Sequence, residues 1–231
     1  MIKLTLIILI IIFVLNLIIM RIYSSIYKSV KKLKKRNNEP LNISTKKNIL
    51  NIFKSYLFAF CNLNLIVIVL IPSFHIRQFL YKNIFLMKIG KGSKIRGFVE
   101  IISPWNIEIG KNTMIGKNVK LDGRNGLKIG NNVNISDCTA IWTEQHDIND
   151  EYFRSLNSNG QVIIKDRVWL CFRSIILPNI VIDEGAVVAS GTIVTKNIKE
   201  FSLYTGIPAE RKKERNKSLN YELNLTGFHF Y

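Results

Sequence analysis

Histidine is scarce in this 231-residue chain, with three in all, and cysteine is equally rare. Cys61, Cys138 and Cys171 show no metal-ligand spacing, and an odd number cannot all pair, so a disulfide framework is excluded and a reducing compartment is expected. Acidic residues are few as well, 16 against 33 Lys and Arg, for a net charge of +17. That balance invites a nucleic-acid reading, but the charge is spread along the chain without a nucleic-acid motif, and none is expected as a partner. Only two runs are long and uncharged, and the first, Leu4 to Met20, dominates the N-terminus.

As a helix that run is roughly 25 Å long, extendable at either end to cross a bilayer. No small-x-small cleavage site follows, which favours an anchor over a signal peptide. Arg21, Lys28, Lys31, Lys32, Lys34, Lys35 and Arg36 come next, against Lys3 and the amino terminus in front. The positive-inside rule therefore places the rest of the chain in the cytoplasm, with anionic headgroups beside the basic cluster. Residues 1–36 are read as the anchor and basic flank, and 37–87 as a linker with two further elements. The first of these is the apolar segment Leu57 to Ile71, which is short and carries Asn62 and Asn64, so it is expected to be buried or interfacial. The second is an amphipathic helix with Phe74, Ile76, Phe79, Leu80 and Ile84 on its apolar side and Arg77 and Lys82 on its wetter side.

From residue 88 the pattern acquires a period of six. Ile164, Leu170, Ile176, Ile182, Val188 and Val194 follow one another without a slip. The same comb fits Ile89 to Ile107, Ile109 to Leu127 and Ile129 to Ile141, each new set beginning two residues late. A helix turns about 600° in six residues and would scatter these side chains over different faces. A parallel β-helix instead stacks them inside a triangular prism of about 18 residues per coil. Gly90, Gly110, Gly116 and Gly130 are expected to serve its tight corners. The repeat domain is read as 88–208 and the C-terminal tail as 209–231. Ile164 comes 23 residues after Ile141, more than one coil needs, so a polar excursion leaves the prism near "TEQHDIND", residues 143–150.

The segments "SPWNIEIGKNTMIGKNV", "ISDCTAIWTEQHDIND", "VIIKDRVWL" and "VVASGTIVTKNI" followed by "YTGIPAERKKER" resemble, in order, the signatures of hexapeptide-repeat acyltransferases, and especially sugar O-acetyltransferases of the maltose, galactoside and colanic acid biosynthesis types. The resemblance spans roughly residues 72 to 215. It implies an all-β, left-handed parallel β-helix working as a homotrimer, with acetyl-CoA as acyl donor, no metal, and a saccharide acceptor. With the anchor, it implies a bacterial inner-membrane enzyme acting on a precursor of a cell-surface polysaccharide, for which a lipid-linked saccharide would account for the anchor.

The same resemblance makes His146 the general base. Imidazole titrates near neutrality and suits removal of a proton from a sugar hydroxyl. Asp147 is a candidate to orient it, and Asp122 and Asn125 are candidates to contact the acceptor, with loop and corner roles as the alternatives. Trp169, Ser190, Gly191, Thr195 and Lys196 match the family's coenzyme A residues, and Lys213, with Lys212 and Arg215, is placed for a phosphate. The chain departs from the family pattern at Cys171 and Phe172, where a glycine and a small residue are usual, at Glu210, which replaces a base, and at Glu144 and Gln145, which replace the glycine and serine before the histidine. These departures keep open a second reading, a non-catalytic trimeric scaffold in a membrane-bound glycan assembly. A shared three-histidine metal centre is opposed by the position of His75 and His229 outside the repeat.

Overall fold

The computed structural model describes residues 2–36, 49–153, 155 and 160–223. The expected linker over 37–48, Arg154 and residues 156–159 of the excursion, and the end of the tail with His229 lie outside the described residues.

Three helices precede the repeat: α1 (Ile2–Arg36), α2 (Ile49–Val69) and α3 (Phe74–Asn83). The first coil consists of β1 (Lys88–Ile89), β2 (Lys94–Ile95) and β3 (Glu100–Ile102). A 3-10 turn at Pro104–Asn106 leads into the second, β4 (Ile107–Ile109), β5 (Met114–Ile115) and β6 (Lys120–Asp122). The third is β7 (Leu127–Ile129), β8 (Asn134–Ile135) and β9 (Ala140–Ile141), and the fourth β10 (Val162–Ile164), β11 (Trp169–Leu170) and β12 (Ile175–Ile176). The fifth is β13 (Val181–Ile182), β14 (Val187–Val188) and β15 (Ile193–Val194). The chain ends in a hairpin of β16 (Ser202–Thr205) and β17 (Glu210–Glu214). Equivalent strands pair in parallel and form three sheets, one per face: β1-β4-β7-β10-β13, β2-β5-β8-β11-β14-β16 with β17 at its edge, and β3-β6-β9-β12-β15.

This is the parallel β-helix that the comb predicts. Every tooth from Ile95 to Val194 is at most 4 % exposed, and the stack Ile115, Ile135, Leu170, Val188 is sealed completely. The two-residue slips have a simple origin. β4 and β7 are three residues long with both ends inward, and the corners before them carry the extra residues. Ile89 pairs with Ile109, and Ile109 with Ile129, so those coils take 20 residues, whereas Ile164 pairs with Ile182 after 18.

The glycines act differently from expectation. A Cβ on Gly90 would lie 2.4 Å from the Gly110 carbonyl oxygen, and one on Gly110 2.5 Å from that of Gly130, so they permit close approach of successive coils. The left-handed corner conformation falls instead to residues stacked above one another, Gly92, Asn112, Asn132, Arg167 and Gly185 on one edge. Asn tolerates that conformation better than most residues with a Cβ.

The helices cover the first coil. Met20, Tyr23 and Ser24 of α1 are buried, and Trp105 of the 3-10 turn lies edge-on to Tyr23 at 5.8 Å and 4.9 Å from Tyr27. Cys61, Leu65 and Ile68 bury one face of α2 against the same end, while Leu63, Ile66 and Val67 face outward. In α3, capped by Ser73, the expected faces are corrected. Ile76 and Phe79 are more than half exposed, and Arg77 is 2 % exposed. Its guanidinium donates to the carbonyls of Ile71, Pro72 and Ile95, at 2.5, 3.0 and 3.3 Å, where the end of α2 leaves acceptors that nothing apolar could satisfy.

Candidate active site

The excursion leaves the prism after β9 and returns at β10, so the strands on either side keep their register across it: Ile141 pairs with Ile176, and Ile129 with Ile164. It leaves from the corner that joins the third face to the first. Thr143, the last buried residue before it, is held from all sides. Its N–H donates to Asp122 Oδ2 at 3.0 Å, its hydroxyl accepts from Asn125 N at 3.0 Å, and its carbonyl accepts from Asn125 Nδ2 at 2.7 Å.

His146 is exposed three residues further on. Its Nδ1 lies 2.7 Å from the carbonyl oxygen of Phe153, and the Phe153 ring stacks on the imidazole at 4.1 Å with only 8° between planes. A carbonyl oxygen can only accept, so Nδ1 carries the proton and Nε2 of the neutral ring keeps its lone pair. The backbone of His146 also bridges Ser155 in antiparallel fashion, so the outgoing and returning arms of the excursion meet at the histidine.

The contacts to the His146 ring come from Phe153, on the far side of the loop from Asp147, the expected candidate. The Asp147 carboxylate turns back on its own loop and accepts from Asn149 N at 2.9 Å. Asp122 and Asn125 likewise are corner residues rather than groups aimed at an acceptor. Asp122 is fully buried, and besides Thr143 it takes the N–H, Nε and Nη2 of Arg124 at 2.9 to 3.0 Å, while the Asn125 amide is spent on Thr143. Burial opposes the charge on Arg124, but the hydrogen bond and charge of Asp122, with Glu144 nearby, outweigh it and hold the guanidinium firmly protonated.

The expected donor-side residues lie on two different edges of the prism. Ser190 and Gly191 are exposed at the corner between the second and third faces, beside Phe172, and Trp169 on β11 donates its indole N–H to Ser136 at 3.2 Å. Gly191 has φ +69° and open space where a Cβ would stand. Along this edge runs a cleft of about 310 Å³, lined by Arg96, Met114, Asn134, Ser136, Asp137 and Phe172. Phe172 is 44 % exposed, with the Arg173 guanidinium 4.9 Å from its ring centre. Burial pushes the neighbouring Cys171 thiol up from its ordinary value, which keeps it protonated and poorly nucleophilic. Thr195 and Lys196 are exposed on the other edge, the one that carries His146, two coils further along.

The tail residues are partly engaged. Arg215 donates to the carbonyls of Arg167 and Gly185, at 3.1 and 2.9 Å, and so fastens the tail to the prism. Lys212 lies 2.9 Å from Glu210, and its hydrogen bond and charge draw the Glu210 carboxyl below the usual range. Lys213 is exposed on β17, opposite Leu203. Among the described residues no cluster of His, Cys, Asp and Glu has the geometry of a metal site. Sequence reasoning missed Phe153, Arg124 and Ser155, because each acts through a loop contact that no periodicity encodes.

No family model matches the chain. It is 30% identical over 139 residues to a protein of Escherichia coli (strain K12) provisionally described as a colanic acid biosynthesis acetyltransferase, a match covering 60% of this chain and 75% of the relative. The fold is that of a hexapeptide-repeat containing acetyltransferase of Vibrio cholerae, solved with acetyl coenzyme A, at a TM-score of 0.65 and 21% identity over 78% of this chain and 94% of that one. It is also that of a maltose O-acetyltransferase from Clostridium difficile 630, at a TM-score of 0.62 and 23% identity over 74% of this chain and 90% of that one.

Proposed function

The chain belongs to the hexapeptide-repeat acetyltransferases, and from that premise we propose that it transfers an acetyl group from acetyl-CoA to a hydroxyl of a saccharide, a precursor of a cell-surface polysaccharide, with His146 as general base. The observation that carries this reading is the 2.7 Å contact of His146 Nδ1 with the Phe153 carbonyl, an acceptor that favours the proton on Nδ1 and so leaves the lone pair on Nε2 at an exposed position. Nε2 takes the proton of the sugar hydroxyl as its oxygen attacks the thioester carbonyl. The tetrahedral oxyanion is met by backbone N–H donors of a neighbouring coil. Collapse breaks the C–S bond, and the imidazolium returns its proton to the leaving thiolate, giving an acetyl ester and free coenzyme A. The enzyme contributes no nucleophile.

His146 stands on one edge of the prism, and Trp169, Ser190 and Gly191 stand on or beside another. A site using both needs a second prism to bring unlike edges together, which supports a homotrimer with the donor in the groove between subunits. In that arrangement Thr195, Lys196 and Lys213 offer charge and hydroxyl to the phosphates of the donor.

The helices support seating on a membrane. Residues 20–27 of α1 are engaged on the 3-10 turn, which leaves the helix up to residue 19, roughly 27 Å at 1.5 Å per residue, to cross a hydrocarbon core of about 30 Å. α2 is engaged from Cys61 onward, and what precedes it is only about 18 Å long, too short to cross, so α2 lies at the interface. The β-helix then stays on the side of the basic flank, the cytoplasmic side, where a lipid-linked saccharide is within reach.

Thiol release from acetyl-CoA with lipid-linked saccharides tests the reading. His146→Ala should abolish acetylation, and normal acetylation by that variant would remove His146 from the chemistry. The scaffold reading draws on Phe172 lining the cleft, and it prevails if neither wild type nor variant binds coenzyme A.

A further inference from the structure

The excursion is long, and the repeat does nothing to fix where its histidine points. Two residues that the family signatures do not include do so here. We infer that Arg124 and Glu144 are positioning residues for His146, a clamp that ties both arms of the excursion to the buried corner below. The inference rests on the proposed role of His146 as base.

Asp122 is the fixed point, fully buried and bonded to Arg124 through both carboxylate oxygens. The same Nε that donates to Asp122 Oδ1 lies 3.2 Å from Glu144 Oε2, so Glu144 is held to the corner by an ion pair with the guanidinium. The other oxygen of Glu144 accepts from the Ser155 hydroxyl at 2.7 Å, across the excursion. Ser155 bridges His146 along the backbone, and Phe153, two residues earlier on the same arm, supplies the carbonyl to Nδ1. One side chain therefore sets the distance between the arms, and that distance holds the tautomer. Glu144 occupies the position where the family resemblance expects glycine, which has no side chain to reach Ser155.

Energetically this pair is a poor stabiliser. Arg124 is 35% exposed and Glu144 23%, and such partly exposed pairs add little to stability. Catalytic geometry is far less forgiving, since a misplacement of about 1 Å can cost roughly 100-fold in rate. A clamp and a mere surface ion pair therefore predict different outcomes.

The full chain in detergent, with acetyl-CoA as donor and water as the acceptor, supplies three readouts: thiol release, melting temperature, and the nitrogen NMR shifts of the His146 ring. In the wild type the ring should give the single Nδ1–H tautomer. Glu144→Ala should convert it to an averaged pair, lower kcat by about 100-fold, leave KM for acetyl-CoA unchanged, and barely move the melting temperature. Glu144→Gln keeps an oxygen for Ser155 but turns an amide –NH2 toward Arg124, so it should recover only part of the rate. Arg124→Ala should lower kcat as Glu144→Ala does but also melt earlier, because it leaves the buried Asp122 carboxylate without its cation, and the double variant should turn over no more slowly than Arg124→Ala. A Glu144→Ala protein that keeps both the single tautomer and full turnover overturns the clamp. A wild type that shows the tautomer while His146→Ala releases thiol just as fast overturns the base role of His146 instead, because the NMR readout needs no activity.

Discussion

Gly160 lies where the excursion rejoins the prism, and a single methyl there should disturb His146 without touching it. A Cβ at this position would stand 1.9 Å from the Thr143 carbonyl oxygen and 2.9 Å from Asn125 Nδ2. Real Cβ contacts do not fall below 3.0 Å, so one partner must withdraw by 1.1 Å. Neither partner is free to do so. The Gly160 carbonyl accepts from Asn179 N in the coil above, and Thr143 is bonded to Asp122 and Asn125 in the coil below. Overpacking of this kind costs about 1–3 kcal/mol, and each hydrogen bond that lengthens adds about 1 kcal/mol, so Gly160→Ala should lose roughly 2–5 kcal/mol. In a chain of this size that lowers the melting temperature by roughly 5–15 °C. The displaced Thr143 is three residues from His146, so kcat should fall by up to about 100-fold. Calorimetry and thiol release measure the two effects. A Gly160→Ala protein that melts with the wild type and turns over normally would refute the argument that the two ends of the excursion are locked together.

Further outcomes follow from other parts of the molecule. Leu170→Ala empties a sealed layer between Ile135 and Val188 and should cost about 2–5 kcal/mol in denaturant unfolding; a loss below about 0.5 kcal/mol would contradict the packing. Cys171, its thiol pushed up by burial, should alkylate with iodoacetamide at pH 8 more slowly than free cysteine, and faster alkylation would mean the site is electropositive and open. The Glu108 carboxyl is drawn below its ordinary range by its hydrogen bond to Lys88, so the stabilisation it gives is present above the ordinary carboxylate range and is lost as pH falls through the lowered value. The melting temperatures of wild type and Glu108→Gln should therefore differ slightly at pH 7 and converge in acid, and a difference that grows in acid would reverse the sign. Arg215→Ala should remove the guanidinium from the Gly185 carbonyl and leave that of Arg167 only the Tyr221 hydroxyl, loosening residues 215–223, seen as faster amide exchange there, and unchanged protection would show that the tail is held by other contacts.

The prism was legible because its cause is periodic. One aliphatic in six, repeated over coil after coil, admits a single arrangement in which all of them are buried, and every tooth from Ile95 onward is. The helices were legible only in part. Hydropathy located α1, but Arg77 defeats a reading by polarity because its surroundings are carbonyls rather than water. The excursion was visible as a surplus of residues, and the histidine stood out in it. The partners of that histidine did not. Phe153 acts through its backbone oxygen, which no side-chain chemistry announces, and Glu144 shows its use only when Arg124 in one coil and Ser155 across the loop are seen on either side of it. Asp122 and Asn125 were singled out for their chemistry and proved to be busy with Thr143.

The near contact of Thr143 with Gly160 means that the excursion starts and stops at almost the same point in space. Everything between them can be lengthened, shortened or exchanged without the coils on either side registering the change, since each coil answers only to its immediate neighbours. The prism is in this sense a socket and the excursion an insert. Descendants of such a chain can trade one continuous segment, provided that the traded piece brings its own means of steadying whatever side chain it carries outward.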